Sequence, residues 1–129
     1  MNSLKINYKN SFVGNMINER NEFDTKIGED GLMPYELAMS GIVSCFYSTF
    51  IDIALKKRLE WESVLVDIFW EKSNEEVAFL KEAKIKLQVK TIKGSDTNFD
   101  KSFELAAKYC SLYQTFSRVA ALSWEATYE

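Results

Sequence analysis

The residues of this chain best able to do chemistry are its two cysteines, Cys45 and Cys110, which stand 65 positions apart. Each lies in a run of small and aromatic residues, "SGIVSCFYS" and "AAKYCSLYQ". The chain has no histidine, which removes Ser-His-Asp and Cys-His catalysis, imidazole acid–base work and histidine-ligated zinc together. Two cysteines cannot form a four-cysteine zinc site, and five unclustered glycines give no phosphate-cradling loop. No metal site is expected, which leaves thiol chemistry with two readings. In the first, both cysteines are small apolar fillers of buried helices. In the second, one thiolate attacks a peroxide oxygen and becomes a sulfenic acid, and the other thiol condenses with it to a disulfide. That chemistry needs a cation or hydrogen-bond donors to hold the thiolate, and a second thiol within disulfide reach. The 65-residue spacing permits such a meeting without requiring it.

The elements that must position these thiols are those of a small globular protein. A length of 129 residues fits a single domain, 1–129, with a core of its own. Apolar residues make up 47% and charged residues 27%, ordinary values for a folded domain. The net charge of −3 and pI near 5.1 leave no basic footprint for nucleic acid or an anionic membrane. In that acidic setting Trp61, Trp70 and Trp124 belong to a core or an interface rather than to a base-stacking platform. No basic-then-apolar leader opens the sequence. The apolar stretch 37–55 is interrupted by Ser40, Ser44, Ser48 and Asp52, which argues against a membrane span. A cytoplasmic protein is expected, and there a cysteine pair is kept reduced or is redox-active.

Along the chain, "SLKINYKNSFVGNMINERNEFDTKI" alternates apolar and polar residues and predicts two or three short antiparallel strands. "GEDGLM" is a loop in which Glu29 and Asp30 are solvated. Pro34 occupies a first-turn position, and a long helix is predicted over 34–58, ending in "KKR". One face carries Met39, Ile42, Val43, Phe46, Phe50 and Ile53. The other carries Leu37, Gly41, Cys45, Ser48 and Asp52, as expected where a second backbone packs closely. Strands follow at 62–72 and 79–93; in the second, Ile85, Leu87 and Val89 alternate with Lys84, Lys86, Gln88 and Lys90. "GSDTN" is a turn able to cap a helix. A second helix is predicted over 99–118, with Phe99, Phe103, Ala106, Ala107 and Cys110 on one face, and a strand ends the chain. The order is that of an α+β fold.

Two of these segments carry a family resemblance. "GLMPYELAMSGIVSCF" resembles the central-helix motif of the OsmC and organic hydroperoxide resistance (Ohr) proteins, and "ELAAKYCSLYQTF" resembles their second-helix motif. The resemblance covers nearly the whole chain, since the element order agrees as well. It implies an intertwined homodimer with antiparallel sheets flanking a long central helix and active sites at the subunit interface. It also implies reduction of organic hydroperoxides, with Cys45 as the peroxidatic thiol and Cys110 as the resolving thiol. No bound cofactor is implied; an external dithiol would recycle the disulfide. The peroxidase branch of the family usually has a glutamate directly after the proline, orienting an arginine against the thiolate. Here that position is Tyr35, and Glu36 follows it. Projected nine residues before Cys45, Glu36 points away from it. Arg20 is the arginine in the right part of the chain to serve the thiolate, and a solvated turn charge is its other reading. Tyr35 and Tyr47 could line a pocket near Cys45 or simply pack. Ser111 stands where many members have proline. The alternative to the peroxidase is the same dimer holding a small apolar ligand at the subunit interface, with thiols of little catalytic importance.

Overall fold

A computed structural model describes residue 1, residues 3–17 and residues 25–129. The described residues form six strands and three helices. Arg20 lies outside the described residues. By its contacts the chain divides into two compact units, Met1–Ser40 and Gly41–Glu129.

The first unit is an antiparallel meander of β1 (Lys5–Tyr8), β2 (Val13–Ile17) and β3 (Thr25–Gly28), in that order. This matches the short alternating strands read from the sequence. Gly28 is required where it stands. Its φ of 104° is left-handed, and a Cβ there would come within 2.1 Å of the Phe12 carbonyl oxygen. The strands are short, and Leu4, Ile6, Tyr8 and Ile17 remain exposed within the single chain.

The long helix α1 (Pro34–Lys56) begins in the first unit and ends in the second. Pro34 is its first residue, and the Glu36 carboxylate accepts a hydrogen bond from the Met33 N–H at 2.8 Å. Glu36 is therefore one half of a capping box: its side chain reaches back to satisfy a backbone donor that has no helical partner. At the other end Arg58 adopts φ 58°, the Leu59 N–H bonds the Ala54 carbonyl, and the Arg58 N–H bonds the Leu55 carbonyl. This is a Schellman closure, built with arginine where glycine is usual. By length and apolarity α1 could cross a membrane, and 28% of its most apolar window is buried within the chain.

The second unit adds a sheet of β4 (Glu60–Lys72), β5 (Leu80–Lys93) and β6 (Ala121–Tyr128), in the order β4-β5-β6. Ala83, Ile85, Leu87 and Val89 of β5 are buried while the lysines between them are exposed, the half-wet alternation the sequence predicts. β4 and β5 are antiparallel, but β5 and β6 run parallel, so this sheet is mixed rather than antiparallel throughout. A parallel neighbour cannot be reached by a tight hairpin and needs a crossover. Here α2 (Asp96–Tyr109) and α3 (Ser111–Ser117) supply it. Ser95, inside the turn expected to cap a helix, caps α2 by accepting from the Asn98 N–H at 3.2 Å. The single helix expected over 99–118 is instead two helices, broken at Cys110.

The core of this unit is aromatic. Phe50 and Phe103 stack face to face with ring centroids 4.0 Å apart, and Phe46, Phe99, Trp61 and Trp124 surround them. Phe46, Phe50, Phe99 and Phe103 are fully buried, and truncating one such ring to alanine costs about 3–5 kcal/mol. This cluster fixes the rotation of the C-terminal half of α1 against α2, and so fixes where Cys45 points.

Candidate active site

Phe46 stacks on Phe103 at 5.9 Å and on Tyr113 of α3 at 5.6 Å. With Phe46 anchored in the core, Cys45, one residue earlier and about 100° round the helix, lies at the flank of α1, half-buried. Cys110 is fully buried. The two thiols are hydrogen-bonded to each other, so the structure brings together the pair whose meeting the spacing only permitted.

The break at Cys110 shapes the surroundings. The Cys110 N–H still bonds the Ala106 carbonyl at 2.8 Å, but Cys110 itself is extended, with φ −77° and ψ 117°. Beyond that point the helical ladder is interrupted. In an unbroken helix the Ser111 N–H would return to the Ala107 carbonyl. Instead the Gln114 side-chain amide donates to the Ala107 carbonyl at 2.9 Å. The N–H groups of Ser111 and Leu112 are thereby left without helical acceptors, and both help to draw the Cys45 thiol down. The Tyr113 N–H donates to Cys110 Sγ at 3.3 Å, so the Cys110 thiol also caps α3.

These bonds set the two thiols apart. Burial by itself pushes Cys45 up, but it is outweighed by the Cys110 thiol, the Leu112 and Ser111 N–H groups and, least, the Thr49 side chain, whose hydroxyl donates to the Cys45 carbonyl at 2.9 Å. Cys45 therefore lies below its ordinary value. Cys110 is pushed up to about 11, first by burial and then by its bond to Cys45 and the charge there, against the Tyr113 and Leu112 N–H donors. One thiol is drawn toward the thiolate while its neighbour keeps its proton, the division of labour a dithiol peroxidase needs. Tyr113, beside Cys110, is raised by burial and by the Cys110 charge.

The other residues singled out in the sequence fall elsewhere. Glu36 is engaged in the α1 cap. Tyr35 is half-buried in the first turn of α1. Tyr47 packs against Phe50, and its hydroxyl accepts a hydrogen bond from Trp61 Nε1 at 2.9 Å. A cleft of about 470 Å³ lies between the ends of β4, β5 and β6, lined by Phe69, Trp70, Ala83 and Leu122 among others, with neither Tyr35 nor Tyr47 in its wall. No group of three or more candidate metal ligands occurs among the described residues. Gly41, on the small face, looks toward Leu112, where a Cβ would make ordinary contact at 3.6 Å. Sequence reasoning missed the backbone donors of Ser111 and Leu112 and the roles of Thr49 and Gln114. No residue-type signal marks a backbone N–H, and the broken helix contains neither glycine nor proline.

A family model described as OsmC-like protein matches residues 27–125, most of the chain and both cysteines. The chain belongs to the OsmC-like family. Among solved structures, this OsmC-like protein is similar to an OsmC-like protein from Mycoplasma pneumoniae. The TM-score is 0.87 at 15% identity, covering 99% of this chain and 96% of that one. A hypothetical protein from Aquifex aeolicus VF5 gives 0.83 at 20% identity, covering 100% and 98%. The organic hydroperoxide resistance protein OhrB of Bacillus subtilis gives 0.67 at 15% identity, covering 97% and 98%. These likenesses establish the α+β OsmC/Ohr fold. No relative matches among the curated proteins.

Proposed function

We propose that this OsmC-like protein reduces organic hydroperoxides with Cys45 as the attacking thiolate and Cys110 as the resolving thiol. The observation that supports this reading is the opposite displacement of two hydrogen-bonded thiols, Cys45 down and Cys110 up to about 11. The Cys45 thiolate attacks the terminal oxygen of the hydroperoxide. The S–O bond forms as the O–O bond breaks, Cys45 becomes a sulfenic acid, and an alkoxide leaves. The Cys110 thiol gives its proton to that alkoxide, releasing the alcohol. The Cys110 thiolate so formed attacks the Cys45 sulfur and expels hydroxide, closing the disulfide. The two thiols are oxidised by two electrons and the peroxide is reduced by two. An external dithiol restores the pair by exchange, and the reducing cytoplasm is the compartment that suits it.

The working unit in this reading is a homodimer. Apolar residues left exposed by the single chain support it, including Leu4, Ile6 and Ile17 of the first sheet and Leu55 at the end of α1, as does the modest burial of so apolar a helix. Exposed apolar side chains of this size suit a protein interface.

The test mixes reduced protein with a slight excess of cumene hydroperoxide and counts free thiols, with Cys45→Ser alongside. Rapid loss of both thiols, an intramolecular Cys45–Cys110 disulfide by mass spectrometry, and negligible peroxide consumption by the variant are expected. Thiols that survive for hours would overturn the peroxidase and favour the dimer that merely binds a small apolar ligand.

A further inference from the structure

We propose that Gln114 is a positioning residue for the Cys45 thiolate, because its side-chain amide holds the α2–α3 break open and so keeps two backbone donors aimed at the sulfur. The inference deepens the peroxidase reading and rests on Cys45 being the attacking thiol.

Three observations carry it. Gln114 Nε2 donates to the Ala107 carbonyl at 2.9 Å, seven residues back along the chain. That carbonyl is the acceptor which the Ser111 N–H would otherwise claim in a continuous helix. The N–H groups of Ser111 and Leu112, freed by the break, act on the Cys45 sulfur instead and draw it down. Nothing in the sequence around Cys110 enforces the break, since "AAKYCSLYQ" has no glycine or proline, and Ala and Leu there favour an unbroken helix. The Cys110 thiol contributes by accepting from the Tyr113 N–H. Gln114 contributes by satisfying the acceptor left behind, without which the orphaned carbonyl would compete for the very amide that serves Cys45.

Gln114 touches neither thiol in this account; it acts through the Ser111 and Leu112 amides. The titratable groups among these contacts are Cys110, bonded to Cys45, and Tyr113 next to Cys110. The side chain of Gln114 is exposed, so replacing it leaves the aromatic core intact.

The experiment follows iodoacetamide alkylation of Cys45 in the reduced full chain as a function of pH, with peptide mapping to separate Cys45 from Cys110. The variants are Gln114→Met and Gln114→Leu, which cannot donate, and Gln114→Lys, which can, all at high salt to screen the lysine charge. The two donorless variants should shift the alkylation midpoint up by about one pH unit and slow reaction at neutral pH by roughly tenfold. Gln114→Lys should stay within about threefold of wild type. Unchanged midpoints in folded Gln114→Met and Gln114→Leu would overturn the proposal, and so would Gln114→Lys behaving as they do. The assay uses no peroxide. Failure of the hydroperoxide test with a normal Gln114 effect would therefore discard the peroxidase and leave this inference standing.

Discussion

Cys45 and Cys110 share a hydrogen bond and are displaced in opposite directions: donors draw Cys45 down, whereas burial first, and then Cys45 itself, push Cys110 up to about 11. The asymmetry arises from exposure and from donors. Cys45 is half-buried at a helix flank where two freed amides reach its sulfur; Cys110 is fully buried behind it.

The raised Cys110 thiol has a consequence for stability in alkali. Its ordinary value is 9.0 and its folded value about 11. Between those limits the unfolded chain loses this proton while the native state keeps it, so stability falls as pH rises. The contribution is full below pH 9 and gone above about 11. It amounts to at most about 2 kcal/mol after allowance for relaxation. Urea unfolding of reduced protein across this range should show the decline, and Cys110→Ser should flatten it. Tyr128, raised by burial and by its bond to Asp100, acts in the same direction in both proteins, so their difference reports the Cys110 thiol together with its influence on Cys45 and Tyr113.

Ser111→Pro should separate the thiolate from the fold. Position 111 is the first residue of α3, where proline is favoured and its φ is already suitable. Proline also restricts its predecessor to extended backbone, the conformation Cys110 already has. Melting should change by only a few degrees. The N–H that donates to Cys45 is lost, however, so the Cys45 alkylation midpoint should rise by about half a unit to one unit. An unchanged midpoint in the folded variant would show that the amide does not serve the sulfur.

Glu36→Ala tests whether this carboxylate is a cap or a catalytic group. Loss of its bond to the Met33 N–H should cost about 1 kcal/mol of stability. Peroxide consumption per folded molecule, measured well below the melting temperature, should be unaltered. A large loss of activity without loss of stability would return Glu36 to the active site.

Arg58→Gly should stabilise the protein. Arg58 sits at φ 58° in the closure of α1, a conformation that costs a residue with Cβ about 1 kcal/mol and glycine almost nothing. The melting temperature should rise by about 3–5 °C. A fall would mean that the arginine side chain makes a compensating contact.

Much of this was legible in the sequence, for physical reasons that can be named. The period-two alternation of Ile85, Leu87 and Val89 identified β5 because a half-buried strand imposes that pattern on its residues. Pro34 and the basic run after Ala54 marked the ends of α1. Even so, the role of Glu36 came from the hydrogen bond to Met33 and not from its place beside the proline. Cys45 and Cys110 were identifiable as the chain's reactive inventory by the absence of histidine, and the two motifs around them pointed to the OsmC-like family.

What the sequence alone determined was therefore the inventory: an α+β chain, its amphipathic elements, two thiols and no imidazole. Local residue chemistry writes those properties directly into the pattern. Only the tertiary structure decided that β6 runs parallel to β5, that the crossover breaks at Cys110, and that Ser111, Leu112 and Cys110 act together on one sulfur. Those outcomes depend on which backbone donors are left without helical partners once the aromatic core has locked α1 against α2 and α3. A free N–H has no residue type, so no reading of side chains along the chain could have assigned it to Cys45.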